Sequence, residues 1–277
     1  MYQKTVFDNG VRVLSNFMPN TRSVSICVFV GTGSRYESDA HGGISHFLEH
    51  MLFKGTPHRP SSASISNAIE RVGGMMNGGT DRELTSYWCK VAYPHFQQAL
   101  DVLIDMVRNP LLDPGEMAKE RGVVQEELSM MNDHPSYRVE AITDEMLWPS
   151  HPMGRDVGGS KESVEGIFDQ DLNSWFNNFY IPSNVVISIA GNIPHDQAID
   201  AVVPLIEGWN GGTTPSWDPV LYRDQTSPTL FMESKKTEQA HLSLSLIGVP
   251  NRHTDRYAMD MMNTVLGDGM SSRLFLE

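Results

Sequence analysis

The sequence predicts an α+β fold, a mostly antiparallel sheet covered by helices, and three observations carry that expectation. The opening reads as a β-hairpin, because KTVF and VRVLSNF flank Asp8-Asn9-Gly10, a strong short turn signal. After a turn at Pro19-Asn20, SVSICVFVG places Val24, Ile26, Val28 and Val30 at period two, which marks a strand with one buried face. Stretches of helical spacing then alternate with further short strands along the chain.

Taken in order, a Gly-rich loop leads into a helix within GGISHFLEHMLFKGT, residues 42–56. SSASISNAIERVGG reads as a second helix, with Ser61 or Ser62 as its N-cap and Gly73 as its stop. MMNGGT and ELTSYWCKVAY read as a strand pair. Apolar spacing predicts helices over residues 93–108, 114–133, 135–148 and 168–180. NVVISIAG is another strand and HDQAIDAVVPLIEGW another helix. GWNGGTTPSWDP, residues 208–219, has no periodicity and separates a domain over 1–215 from one that begins in 220–277. In that second region HLSLSLIGV alternates Leu242, Leu244 and Leu246 as the early strand does, and a helix-like segment follows. The pattern is a weak internal repeat with a period of roughly 220 residues. A lone strand and helix cannot bury an apolar face, so the second copy calls for more chain or a partner.

Composition excludes several classes of function. The chain has 277 residues, 40% hydrophobic and 20% charged, with a formal net charge of -13 and a pI near 5.1. Nucleic acid and anionic membrane both want positive patches, so neither is expected as a partner. Cys27 and Cys89 alone make no disulfide framework and point to a reducing compartment. MYQKTVFDNGVRVLSNF lacks a basic stretch followed by an apolar run, which predicts no signal peptide. No apolar run reaches the roughly 18 residues that span a bilayer. The expectation is a soluble, cytoplasmic protein.

The chemistry begins at His46, Glu49 and His50. On a helix His46 and His50 lie one turn apart on one face, a spacing that lets two imidazoles reach one metal ion. At about 100° per residue, Glu49 sits beside them while Phe47, Leu48, Met51 and Leu52 occupy the opposite half. The same triplet also suits the wet face of an amphipathic helix. A second helix, GEMAKERGVVQEELSMM, runs an apolar stripe through Met117, Val123, Val124, Leu128 and Met131. Glu120 and Glu127 fall within that stripe two turns apart, whereas Glu126 points about 120° away. Carboxylates on a core-facing stripe are costly to bury without a cation or donors. Either they flank the stripe and pair with Lys or Arg, or a nearby zinc ion meets them.

His46, Glu49 and His50 followed by Glu127 resemble the inverted-zinc-motif peptidases, the pitrilysin or M16 family. VGTGSRYE, HMLFKGT, ERGVVQEE and FYIPSNVVISIAGNI look like further landmarks of that family, so the resemblance spans essentially the whole chain. It is closest to the bacterial processing proteases and the β-subunit of mitochondrial processing peptidase. The resemblance implies an M16-type half-clamshell, with the start of a second, similar half in which Asp260, Asn263 and Thr264 replace the metal motif. It implies one Zn2+ per chain, held by His46, His50 and Glu127, with Glu49 as general base. Glu120 matches a carboxylate that orients a ligand histidine, and Asn77 matches an asparagine on a substrate-pairing strand; Gly78 and Gly79 depart from the bulkier residues expected there.

The activity so implied is zinc-dependent endopeptidase cleavage of extended peptides or unfolded segments. A homodimer or a partner M16 subunit would complete the clamshell. The alternative is a non-catalytic, peptide-binding or structural M16-like subunit that needs a partner chain, and a metal-binding regulatory domain stands third.

Overall fold

The computed structural model describes residues 2–220, 225–236 and 238–277. Residues 221–224, at the head of the expected second domain, lie outside the described residues. The chain forms two compact units, Met1–Gln239 and Ala240–Glu277.

In the first unit β1 (Gln3–Val6) and β2 (Arg12–Phe17) make the expected hairpin, with Val6 opposite Arg12. Gly10 closes its turn at a φ of +95°, a conformation that disfavours side chains. β3 (Ser23–Val30), β4 (Met75–Thr80), β5 (Thr85–Ala92) and β6 (Val185–Gly191) complete one six-stranded sheet in the order β1-β2-β6-β3-β5-β4. Every neighbouring pair runs antiparallel except β2 and β6, so the sheet is mostly antiparallel as expected. β4 lies at one edge, and among the described residues no strand pairs with its outer row of backbone groups.

The period-two pattern of β3 decides which face is covered. Val24, Ile26, Val28 and Val30 are fully buried, and Tyr87, Cys89 and Val91 of β5 lie on the same face. α1 (Ile44–Leu52), α3 (Phe96–Arg108) and α8 (His195–Ile206) pack against the sheet. Around them lie α2 (Ser62–Glu70), α4 (Pro114–Asp133), α5 (Pro135–Leu147) and α7 (Asp169–Phe179). Ser61 is the N-cap of α2 in a capping box with Ser64, and Gly73 follows the helix at a φ of +74°. A short α6 (Lys161–Glu165), capped by Ser160 and Ser163, was not expected, because five residues are too few to show a period. Cys27 and Cys89 are free and stand on opposite faces of the sheet, since Cys89 pairs in register with Ile26.

The loop leaving α1 is tied to α3 through Asp105. Its carboxylate, almost fully buried, accepts from Thr56 Oγ1 (2.5 Å), Arg59 Nη1 (2.6 Å), Asn109 Nδ2 (3.1 Å) and the His58 ring (3.2 Å). Burial pushes its pKa up, but these donors outweigh burial and hold it below the ordinary value. A depressed folded-state pKa means stabilisation that is present above the unfolded value of about 3.9 and lost as pH falls through the folded one. Asp105→Ala is expected to cost about 2–4 kcal/mol at pH 7, because it removes the acceptor of Thr56 and Asn109 and one of the two carboxylates, with Asp101, that pair with Arg59. Urea unfolding at pH 7 and pH 3 checks this, with the variant's deficit shrinking at the lower pH.

The second unit holds α9 (Arg256–Gly267), where a helix was expected, and α10 (Arg273–Leu276). The strand expected over 241–249 is absent: the segment is irregular, and Leu242, Leu244 and Leu246 are 91%, 88% and 85% exposed. A strand needs a neighbour for its backbone groups, and no other strand lies in this unit among the described residues. No helix among the described residues is long and apolar enough to cross a membrane.

Candidate metal centre

α1 is amphipathic in the expected sense. Phe47, Leu48, Met51 and Leu52 are buried, each contributing roughly 1.5–3 kcal/mol of hydrophobic stabilisation. This apolar half seats the helix, so His46, Glu49 and His50 emerge together toward α4 and the β4 edge. α4 begins with Asp113 accepting from Glu116 N and Pro114 in the first turn. Its buried stripe is Met117, Glu120, Val124 and Leu128. Val123, expected in the stripe, is instead 48% exposed, since it lies about 100° from Val124 around the helix. Glu126 is exposed and Glu127 half-buried, the division expected of them.

The structure brings His46, His50 and Glu127 together. Their nearest atoms are pairwise 3.2 Å (His46 Nε2 to His50 Nε2), 3.6 Å (His50 Nε2 to Glu127 Oε2) and 3.9 Å (His46 Nε2 to Glu127 Oε2). Bonds of about 2.0–2.2 Å to a tetrahedral ion put ligand atoms about 3.3–3.5 Å apart. The three side chains could therefore hold a small divalent cation with little movement. Glu49 lies in the same cluster, its carboxylate within 4.8 Å of both imidazoles.

Glu120 sits behind His50 as expected. Its Oε1 accepts from His50 Nδ1 at 2.8 Å, which leaves Nε2 facing Glu127 at 3.6 Å. Its Oε2 takes an ion pair from Lys54 Nζ at 2.5 Å. Lys54, missed in the sequence, lies just past the end of α1, four residues beyond His50. Asn77 stands exposed on β4 at the rim of the cleft, where its Oδ1 accepts from Gly78 N at 2.9 Å. Hollows open on either side of Glu49 and His50: one is lined by Phe53, Lys54, Glu70 and Met76, the other by Leu128, Met131, Tyr137 and Gly158. Tyr137 and Asp156, also missed, meet in a 2.9 Å hydrogen bond beside the second hollow.

Electrostatics mark the cluster as short of positive charge. Burial pushes Glu49 up to about 7, helped by Glu127 and Glu120 and opposed by His50. Burial also lowers His46, as does the neighbouring His50 imidazole, while Glu127 and Asp156 pull the other way. Two imidazole nitrogens and a carboxylate oxygen converging on one point are complementary to a single cation.

The chain belongs to peptidase family M16, the insulinase family: residues 12–161 match that family, and residues 168–277 match the domain described as the peptidase M16 inactive domain. An uncharacterized zinc protease of Bacillus subtilis, YmxG, is 37% identical over 276 residues, covering 99% of this chain and 66% of its own length. An uncharacterized zinc protease of Streptomyces coelicolor is 33% identical, covering 99% of this chain and 61% of its own. The chain thus spans slightly under two thirds of these relatives. The crystal structure of a protease from Helicobacter pylori shares the fold, with a TM-score of 0.85 at 22% identity over 100% of this chain and 68% of that one.

Proposed function

We propose that the chain is the metal-bearing part of a zinc-dependent endopeptidase that hydrolyses extended peptides or unfolded segments. The observation that carries this reading is the triangle of His46, His50 and Glu127 atoms with Glu49 beside it. Those three residues would hold one zinc ion per chain, and the names of the relatives favour that metal. When bound, such an ion acidifies a water and polarises a peptide carbonyl as a Lewis acid.

The remaining steps belong to the protein. Glu49, next to the ligands but free of them, takes the proton from the attacking water and returns it to the leaving amine. It must be ionised to do so, and positive charge gathered between the imidazoles pulls its raised pKa down. Glu120 holds His50 in place, and Lys54 neutralises Glu120. The β4 edge offers backbone groups to an extended substrate, with Asn77 at the rim, a mode that tolerates many sequences. The free, unbridged cysteines suit the cytoplasmic setting we assign.

A second reading, a non-catalytic peptide-binding or structural subunit working with a homodimer mate or a partner M16 chain, draws on the match of residues 168–277 to the domain described as inactive. Metal analysis of the purified chain, with cleavage of an unstructured fluorogenic peptide before and after chelation, separates the two. Bound zinc with chelator-sensitive cleavage supports the enzyme, whereas bound zinc without cleavage supports the subunit. Glu120→Gln is expected to weaken zinc binding about 10–100-fold by loosening His50, measured by competition with a chromophoric chelator.

A further inference from the structure

We propose that Glu37 is a positioning residue for the metal centre, acting through the first turn of α1; this rests on the metal reading above. α1 starts without a capping side chain of its own. Its N-cap position is Gly43, at a φ of +87°, and no side chain there accepts from the helix. The first-turn N–H groups of a buried helix still need acceptors.

Glu37 supplies them from outside the helix. Its Oε2 accepts from Gly43 N at 2.8 Å and its Oε1 from Ser45 N at 2.9 Å. The carboxylate is fully buried, which raises its pKa, while the Ser45 and Gly43 N–H groups and the Arg155 guanidinium favour the charged form. Arg155 supports it, donating from Nη1 to the Glu37 carbonyl at 3.2 Å and lying 3.9 Å from Oε2. On the other side Ser163 Oγ donates to Gly42 O at 2.7 Å. Backbone there meets backbone so closely that a Cβ at Gly43 would fall 2.3 Å from Gly158 O.

The placement of the ligands makes this cap selective. His46 belongs to the first turn and follows directly on Ser45, whose N–H group Glu37 accepts. His50 lies a full turn later, held by Glu120. Without the carboxylate the first turn loosens, and His46 Nε2 drifts from its 3.2 Å spacing to His50 Nε2. Glu37 therefore sets one ligand against the other two.

The test is metal affinity of the 277-residue chain by chelator competition, with Zn2+ and with Co2+ as a spectroscopic probe, alongside thermal unfolding without metal. Glu37→Ala is expected to weaken binding about 10–100-fold and to alter the visible cobalt bands. Glu37→Gln keeps one acceptor oxygen and should fall between it and the wild type. Ser61→Ala, which breaks the capping box of α2, should lower thermal stability yet leave metal affinity and the cobalt spectrum unchanged. The inference is overturned if Glu37→Ala binds as the wild type does, or if Ser61→Ala loses as much affinity. Should Glu37→Ala fail to fold, the Gln variant decides: weakened binding supports the inference and wild-type binding overturns it. A wild-type chain that takes up neither metal overturns the metal reading itself, and this inference falls with it.

Discussion

Glu49→Gln is expected to leave metal uptake intact while cutting peptide hydrolysis by on the order of 10²–10⁴-fold, the range a positioned general base supplies. The amide is nearly isosteric, so the packing of α1 against the sheet is undisturbed. It cannot accept the proton of the attacking water, and the loss falls on kcat rather than KM. Steady-state kinetics on an unstructured peptide, with zinc content measured on the same samples, check both halves. A variant that cleaves at the wild-type rate would remove Glu49 from the chemistry. The direction of its pKa adds a second signature: burial sets Glu49 near 7 without metal, so removing it should also remove a titration from that range in the metal-free protein.

Glu127→Gln should weaken metal binding by more than the ~10–100-fold expected when only an outer partner of a ligand is lost. The structure gives the reason, since Glu127 Oε2 is the one carboxylate oxygen placed 3.6 and 3.9 Å from the two imidazole nitrogens. Glu126, exposed on the far side of α4, is the internal control, and Glu126→Gln should bind as the wild type does. The same chelator competition measures both. Equal losses in the two variants, or a larger loss for Glu126→Gln, would show that the third ligand is misassigned.

Much of this site is legible in the chain because α-helices carry their geometry in residue spacing. His46 and His50 share a face by counting alone, and Glu120 and Glu127 fall on the stripe of α4 by the same count. Counting fails where residue type misleads, as at Val123, which is apolar but lies too far round the helix to be buried. Lys54 lies in the turn after α1 and its partner Glu120 comes from another helix, so spacing within α1 cannot name the pair. Glu37 was less legible still. A helix start without a capping residue shows only that something must accept its N–H groups, and the acceptor came from a separate turn. The fold divides in the same way. Hairpins and period-two strands can be read locally, whereas the parallel pairing of β2 with β6 joins segments far apart in the chain and leaves no local trace. HLSLSLIGV shows the limit from the other side: alternation specifies a face, but only a neighbouring strand makes it a strand.

That same segment governs how the molecule behaves in bulk. Leu242, Leu244 and Leu246 stand open to water on an irregular backbone, and no charged residue interrupts the run from 241 to 250. Such a stretch is adhesive, because any foreign strand that docks there satisfies its amides and hides its leucines at once. The net charge of -13 keeps molecules apart only over about a Debye length, roughly 8 Å at physiological salt. These leucines therefore favour self-association of the chain, more so as salt rises.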